Sequence, residues 1–202
     1  VLIDIPADIQ NSEIKINNKL HFTKKNKIKK NSNLKNINSL LKLINKSKRP
    51  LFYFGQGVRI SKSKNLVSKI IQKTKIPYCL SWNAIDIFDY NDKMNLGRPG
   101  AFTDRASNFI VQNCDLFISV GSRLPYMVTG YNSDDFAKNA KKVIVDVDKF
   151  EVKNHFLKFD LKINSDAKVF FDFLNKKIKN KKFSYNHDWI KYCKYLRKKF
   201  PI

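Results

Sequence analysis

Residues 115–123 read Asp-Leu-Phe-Ile-Ser-Val-Gly-Ser-Arg. Apolar, β-favouring residues dominate Asp115–Val120 and Gly121 closes the run, which predicts a short strand covered on both faces. On its amino side, residues 103–113 (TDRASNFIVQN) predict a helix with Thr103 as N-cap and Asp104 in the first turn. On its carboxyl side, a short helix over 135–140 leads into a strand over Lys142–Asp146 (KVIVD). The alternation continues in both directions. Leu40, Leu41, Leu43 and Ile44 recur at helical spacing, Arg49-Pro50 breaks that helix, and Leu51–Phe54 is a strand ending at Gly55. A helix over 62–74 precedes a strand over 76–80. A strand over 159–163, a helix capped by Ser165 that runs to about residue 177, and an aromatic helix over 186–199 complete the series. In the last of these, Trp189, Tyr192 and Leu196 share one face. Strands alternating with helices imply βαβ units, so the predicted fold class is α/β, a doubly wound parallel sheet spanning residues 38–178.

The flanks differ. Val1–Pro6 reads as a strand closed by proline and residues 7–37 as a polar, lysine-rich linker. The chain has 202 residues, 43% of them hydrophobic and 13% aromatic, which excludes wholesale disorder. No apolar run reaches the roughly 18 residues of a membrane span, and the opening has no secretory-signal pattern. Cys79, Cys114 and Cys193 are too scattered for a disulfide framework or a zinc site, which points to a reducing, cytoplasmic setting. His21, His155 and His187 do not form a metal cluster by spacing.

The net charge of +23 invites a nucleic-acid reading. Its distribution argues otherwise. Residues 1–50 and 151–202 each carry +9, whereas residues 51–150 carry +5. The flanking lysines alternate with Asn and Ile, a codon-bias pattern, and no aromatic residues interleave with them as a stacking platform. No specific nucleic-acid partner is expected.

In open α/β sheets, ligands bind outside the carboxyl ends of the strands. Those ends read Gly55-Gln56-Gly57, Ser81-Trp82-Asn83-Ala84, Gly121-Ser122-Arg123 and Asp146-Val147-Asp148. Five of the six glycines lie at these ends or in the Gly97–Gly100 loop, where backbone can approach a ligand closely. Each feature has two readings. Gly55-Gln56-Gly57 is a tight turn or a phosphate cradle. Asp146 is a cap or a ribose acceptor, Trp82 is core or cofactor contact, and Arg123 is an ion pair or a phosphate partner. No GxSxG elbow, HExxH motif or nucleophile–base pair occurs. Cys79 reads as a buried strand residue, and Cys114 ends a helix.

These residues resemble the central domain of thiamine-diphosphate-dependent enzymes of the acetolactate synthase type. The resemblance is carried by VLIDIPADIQ (1–10), RPLFYFGQG (49–57), Ile76-Pro77, DLFISVGSR (115–123), Val128-Thr129-Gly130, Asp135-Phe136-Ala137 and VIVDVD (143–148), in the family's order. Two segments differ: Leu124-Pro125-Tyr126-Met127 stands where the synthase has Phe-Asp-Asp-Arg, and Gly97-Arg98-Pro99-Gly100 stands where it has Gly-Met-His-Gly. In both, the chain is similar to acetolactate-synthase-like proteins of surface-polysaccharide pathways.

The resemblance implies a domain plan. Residues 1–10 would end a pyrimidine-binding domain, 11–37 would link, 38–178 would form the Rossmann-like central domain, and 179–202 would lead toward a diphosphate-binding domain. It implies an enzyme, a transferase or lyase that decarboxylates a 2-oxo acid and ligates the product to an acceptor, working as a homodimer or homotetramer. Thiamine diphosphate and magnesium would be held by domains outside this stretch, leaving no catalytic residue here and an inactive fragment. FAD or an ADP-type ligand would sit against Gly55, Gln56, Gly57, Ser81, Trp82, Gly121, Arg123, Asp146 and Asp148. The alternative is a stand-alone nucleotide-binding module without catalysis.

Overall fold

The computed structural model describes residues 3–13, 15, 34–183 and 186–201. Its centre is a five-stranded, all-parallel sheet in the order β2-β1-β3-β4-β5. The strands are β1 (Pro50–Phe54), β2 (Tyr78–Leu80), β3 (Leu116–Val120), β4 (Lys141–Asp146) and β5 (Leu161–Asn164). The helices in chain order are α1 (Ala7–Gln10), α2 (Ile37–Lys46), α3 (Gln56–Ile60), α4 (Lys64–Thr74), α5 (Arg105–Asn113), α6 (Tyr126–Thr129), α7 (Lys149–Asn154), α8 (Ala167–Ile178) and α9 (His187–Lys199). A single 3₁₀ turn, Trp82–Ala84, follows β2.

Side chains alternate across a strand, so each central strand must supply apolar groups to both faces. Phe52, Phe54, Ile118, Val120, Val143 and Val145 pack under α2, α4 and α8. Leu51, Tyr53, Cys79 and Phe117 pack under α5 and α9 on the other face. Phe54 sits at the centre of an aromatic cluster, with Phe171 edge-on at 5.9 Å and Tyr78 at 5.5 Å between ring centres. The predicted doubly wound sheet is therefore the observed one. The free edge of β2 is covered by loop backbone, with Leu96 N–H donating to Tyr78 O and Leu80 N–H to Gly97 O, which blunts an otherwise open edge.

Several local expectations change. Ile3–Pro6 is not a strand and Ile3 is exposed; among the described residues no strand pairs with this stretch. Val1 and Leu2, and most of the expected linker, lie outside the described residues. The N-cap of α5 is Asp104 rather than Thr103, whose hydroxyl donates instead to Gly100 O. The Asp104 carboxylate accepts from the Arg98 N–H across the loop. Asp166, one residue beyond Ser165, caps α8 through the N–H groups of Lys168 and Val169. Residues 135–140 form turns, whereas α3, α6 and α7 are helices that periodicity does not reveal, being too short to show a repeat. In α9, Trp189 and Leu196 are buried, but Tyr192 faces solvent and Ile190 and Cys193 fill the seam. The Trp189 indole N–H donates to Pro50 O and pins α9 beneath the start of β1.

Candidate functional site

Chain direction around the sheet reverses between β1 and β3. One connection leads from β1 to β2, and the strands from β3 onward build outward on the other side. Loops leaving the two central strands diverge there, which opens a crevice at the carboxyl ends. A cleft of about 650 Å³ occupies that position, lined by Tyr53, Gln56, Gly57, Ser81, Trp82, Gly121, Arg123 and Asp146 among others. Of the nine predicted site residues, seven line this cleft.

The walls are set by backbone contact between two distant turns. The Gly57 N–H donates to Gly121 O at 2.9 Å, and Gly55 N–H donates to Val120 O at 2.9 Å. Gly121 has φ +64, a left-handed conformation that disfavours side chains. A Cβ at Gly57 would stand 2.7 Å from Gly121 Cα. The glycine pair thus first serves close packing of the β1 and β3 ends, and Gly57 and Gly121 reach the cleft from that packed position. Gly55 itself packs against Gly121 and Ser122 and does not line the cleft. Gln56 opens α3 beside it.

Asp146 ends β4 and is buried. One of its carboxylate oxygens accepts from the Asp148 N–H at 2.9 Å. Burial raises its pKa above the usual carboxylate range; that hydrogen bond opposes the shift, while the nearby Asp148 and Glu151 carboxylates add to it. Asp148 lies outside the cleft lining and caps α7, accepting from Phe150 N–H. Arg123 reaches Glu151 at 3.6 Å with its side chain largely in solvent, so the pair itself contributes little stability. Its backbone is held more firmly. Leu157 N–H donates to His155 Nδ1, which leaves Nε2 as the donor to Arg123 O at 2.9 Å. Trp82 is 44% exposed, which removes the core reading for it. Ser81 precedes it, tied to β1 by its N–H donating to Phe54 O.

Sequence reasoning missed Tyr53, Ile60, Pro125, Met127 and Val128, which also line the cleft. Tyr53 is the most informative. It has no solvent exposure, its ring stacks on Phe117, and its hydroxyl makes no hydrogen bond of ordinary geometry among the described residues. The Ser122 hydroxyl lies close enough to the phenol to work against the rise in its pKa. Burial pushes the phenol pKa far up, with Cys79 adding to the effect, so the group stays protonated. Ser119, opposite Tyr53 in the β1–β3 register, carries a second buried hydroxyl without a hydrogen-bond partner among the described residues. The legible signal was a polar hydroxyl inside each of two otherwise apolar strands, LFYF and LFISV.

A second hollow, of about 280 Å³, lies at the amino ends of the strands between Pro50, Thr74 and Trp189. It is away from the switch point. All three cysteines are free and buried within the described residues. Burial pushes the Cys114 thiol up to about 12, aided by Asp115. No group of three or more His, Cys, Asp or Glu among the described residues could hold a metal ion. No helix of the described residues is long and apolar enough to cross a membrane.

Residues 37–175 match the family model described as thiamine pyrophosphate enzyme, central domain. The acetolactate synthase large subunit of Corynebacterium glutamicum is 29% identical over 210 residues, covering 100% of this chain and 32% of that protein. That of Porphyra purpurea is 37% identical over 123 residues, 60% of this chain and 21% of its own length. The Escherichia coli isozyme 2 large subunit is 25% identical over 204 residues, 98% of this chain and 34% of its own. The chain thus spans about a fifth to a third of the length of these curated relatives.

Proposed function

This chain belongs to the thiamine pyrophosphate enzymes, matching their central domain, and on that basis we propose that it is the central part of an acetolactate-synthase-like enzyme. The parent activity is decarboxylation of a 2-oxo acid and ligation of the product to an acceptor, carried out by a homo-oligomer. Within it, residues 38–178 are the scaffold and the switch-point cleft is an adenine-nucleotide site of FAD or ADP type. Residues 1–10 and 179–202 connect to the neighbouring domains.

The cleft carries the nucleotide reading. Its volume falls within the usual range of ligand pockets. Its lining divides into a polar side and an apolar side. Gln56, Ser122 and Arg123 offer donors and Asp146 an acceptor for phosphate and ribose; Trp82, Met127 and Val128 offer surface for a flat ring. This donor and acceptor set fits an adenine nucleotide. The residues of this chain do not fit thiamine diphosphate with magnesium: no diphosphate-binding GDG…N motif occurs in the sequence, and the described residues offer no metal-ligand set. Where it is bound, thiamine diphosphate supplies the electron sink for decarboxylation; the contribution of this chain is to bind and to orient.

Calorimetric titration of the chain with ADP and with FAD tests the cleft. Saturable binding of either, weakened by Arg123→Ala or Asp146→Ala, supports it, and no binding of either sinks it. Expression of the whole natural reading frame, assayed for thiamine-diphosphate-dependent pyruvate consumption, tests the parent activity. Lack of turnover in the folded, cofactor-loaded protein rejects the acetolactate-synthase-like assignment.

A further inference from the structure

We infer that the rim formed by residues 97–104 and 121–135 is a contact face for a second copy of this chain, the two copies meeting across a two-fold axis. The inference rests on the homo-oligomer reading above and names one face of the assembly.

The rim is apolar and open. Tyr131 is 91% and Phe102 78% exposed, and Trp82, Tyr126, Met127 and Phe156 are exposed beside them. The patch is continuous. Tyr126 stacks on Tyr131 at 5.8 Å and meets Phe156 at 4.6 Å between ring centres. The Ala101 N–H donates to Met127 O at 2.8 Å and holds the Phe102 turn against the same segment. Apolar patches of this extent mark interaction sites rather than free surface. An aromatic side chain carries about 150–250 Å², so Phe102, Tyr126, Tyr131 and Phe156 at their exposures offer on the order of 500 Å², more than half of the about 800 Å² that each partner gives to a standard interface.

Charge selects the occupant. The chain carries a net +23, and α2 and α4 alone hold five lysines and no acidic residue. Residues 81–84, 97–104 and 121–135 contain no lysine, and there Arg98 and Arg123 stand against Asp104, Asp134 and Asp135. Two copies repel wherever their lysine-rich faces approach, whereas at the rim they can meet without that repulsion. A two-fold contact needs a self-complementary patch, and apolar rings set against the same rings provide one. Trp82 and Met127 also line the cleft, so the second copy lies against its mouth.

Sedimentation equilibrium of the chain tests the face, with Tyr131→Lys and Phe102→Lys as variants. Neither residue is buried or lines the cleft, so melting temperatures are expected to match the wild type. The wild-type chain is expected to dimerise. Its dimer should tighten as salt rises from about 0.1 to 1 M, because the screening length falls from about 10 to about 3 Å and the repulsion between lysine-rich faces fades. Each variant sets like charges across the two-fold axis and is expected to weaken the dimer about tenfold or more. A dimer that salt weakens would be held by ion pairs and would overturn the inference, as would a dimer that neither variant affects. A monomeric wild-type chain also overturns it. If the whole natural reading frame then still assembles, the homo-oligomer reading survives and this inference falls alone; if that too is monomeric, both fall.

Discussion

Gly57→Ala probes the contact on which the cleft is built. The added methyl would stand 2.7 Å from Gly121 Cα and 3.1 Å from Gly121 O, both backbone atoms that no rotamer change can move. The ends of β1 and β3 must therefore part by several tenths of an ångström, stretching the Gly57 N–H to Gly121 O bond from 2.9 Å. Overpacking of this kind costs about 1–3 kcal/mol. For a domain of this size that corresponds to a fall in melting temperature of about 2–10 °C. Gly121→Ala should cost more, because its methyl meets Gly57 Cα at 2.8 Å and its φ of +64 must also be held. The left-handed conformation adds about 1–2 kcal/mol. Both methyls demand the same separation, so the double variant should lose less than the sum of the singles. Thermal and urea denaturation followed by far-ultraviolet circular dichroism measures all three. An unchanged urea midpoint in Gly57→Ala, or strict additivity in the double variant, would refute the shared-gap argument.

Asp115 accepts from the Ser47 hydroxyl and from the N–H groups of Lys48 and Arg49, tying the approach to β1 to the start of β3. Asp115→Ala should lower the urea midpoint by an amount equivalent to about 1–3 kcal/mol, the exposed donors recovering part of the loss from water. Asp146 has a folded-state pKa raised by burial, so the folded state binds the proton more tightly than the unfolded state and stability falls as pH rises through the interval between the two pKa values. Asp146→Asn, which can keep the acceptor for Asp148 N–H, should raise the melting temperature at pH 7 and leave it nearly unchanged at pH 3; an equal change at both pH values would reject the charge explanation. Cys79, Cys114 and Cys193 are buried, and burial raises their pKa values. A thiol-specific disulfide reagent at pH 8 should label none of them in the native chain and all three in denaturant, whereas rapid native labelling would show that the α5–α9 seam opens.

Periodicity was most informative where an element is long or fully covered. Leu40, Leu41 and Ile44 in α2, and Ile70 and Ile71 in α4, are buried where helical spacing put them. The runs LFYF and LFISV are strands because both faces of the sheet are packed. Short helices such as α7 stayed invisible, since six residues cannot display a repeat. Within Val1–Pro6, the described stretch Ile3–Pro6 is not a strand, because strand-favouring composition says nothing about whether a pairing partner exists, and none pairs with it among the described residues. Of the residues expected at the strand ends, Gln56, Gly57 and Asp146 line the cleft, but the strand-end rule could not separate Asp148, which is spent on capping α7. It also passed over Tyr53, which reads as one more core aromatic until its hydroxyl is found unpaired.

Residue order alone therefore establishes an α/β chain of alternating strands and helices, and with it the end of each strand where a ligand would be met. That information is local: it follows from which side chains recur at spacings of two or of about three to four along the backbone. Strand order is a different kind of fact. Gly57 and Gly121 touch, and Tyr53 faces Ser119, because β1 pairs with β3 rather than with β4 or β5. That choice depends on how the two helical layers bury both faces of the sheet at once, a long-range packing outcome that no window of sequence contains. Folding brings together the two glycine turns, and so turns a set of strand ends into a cleft.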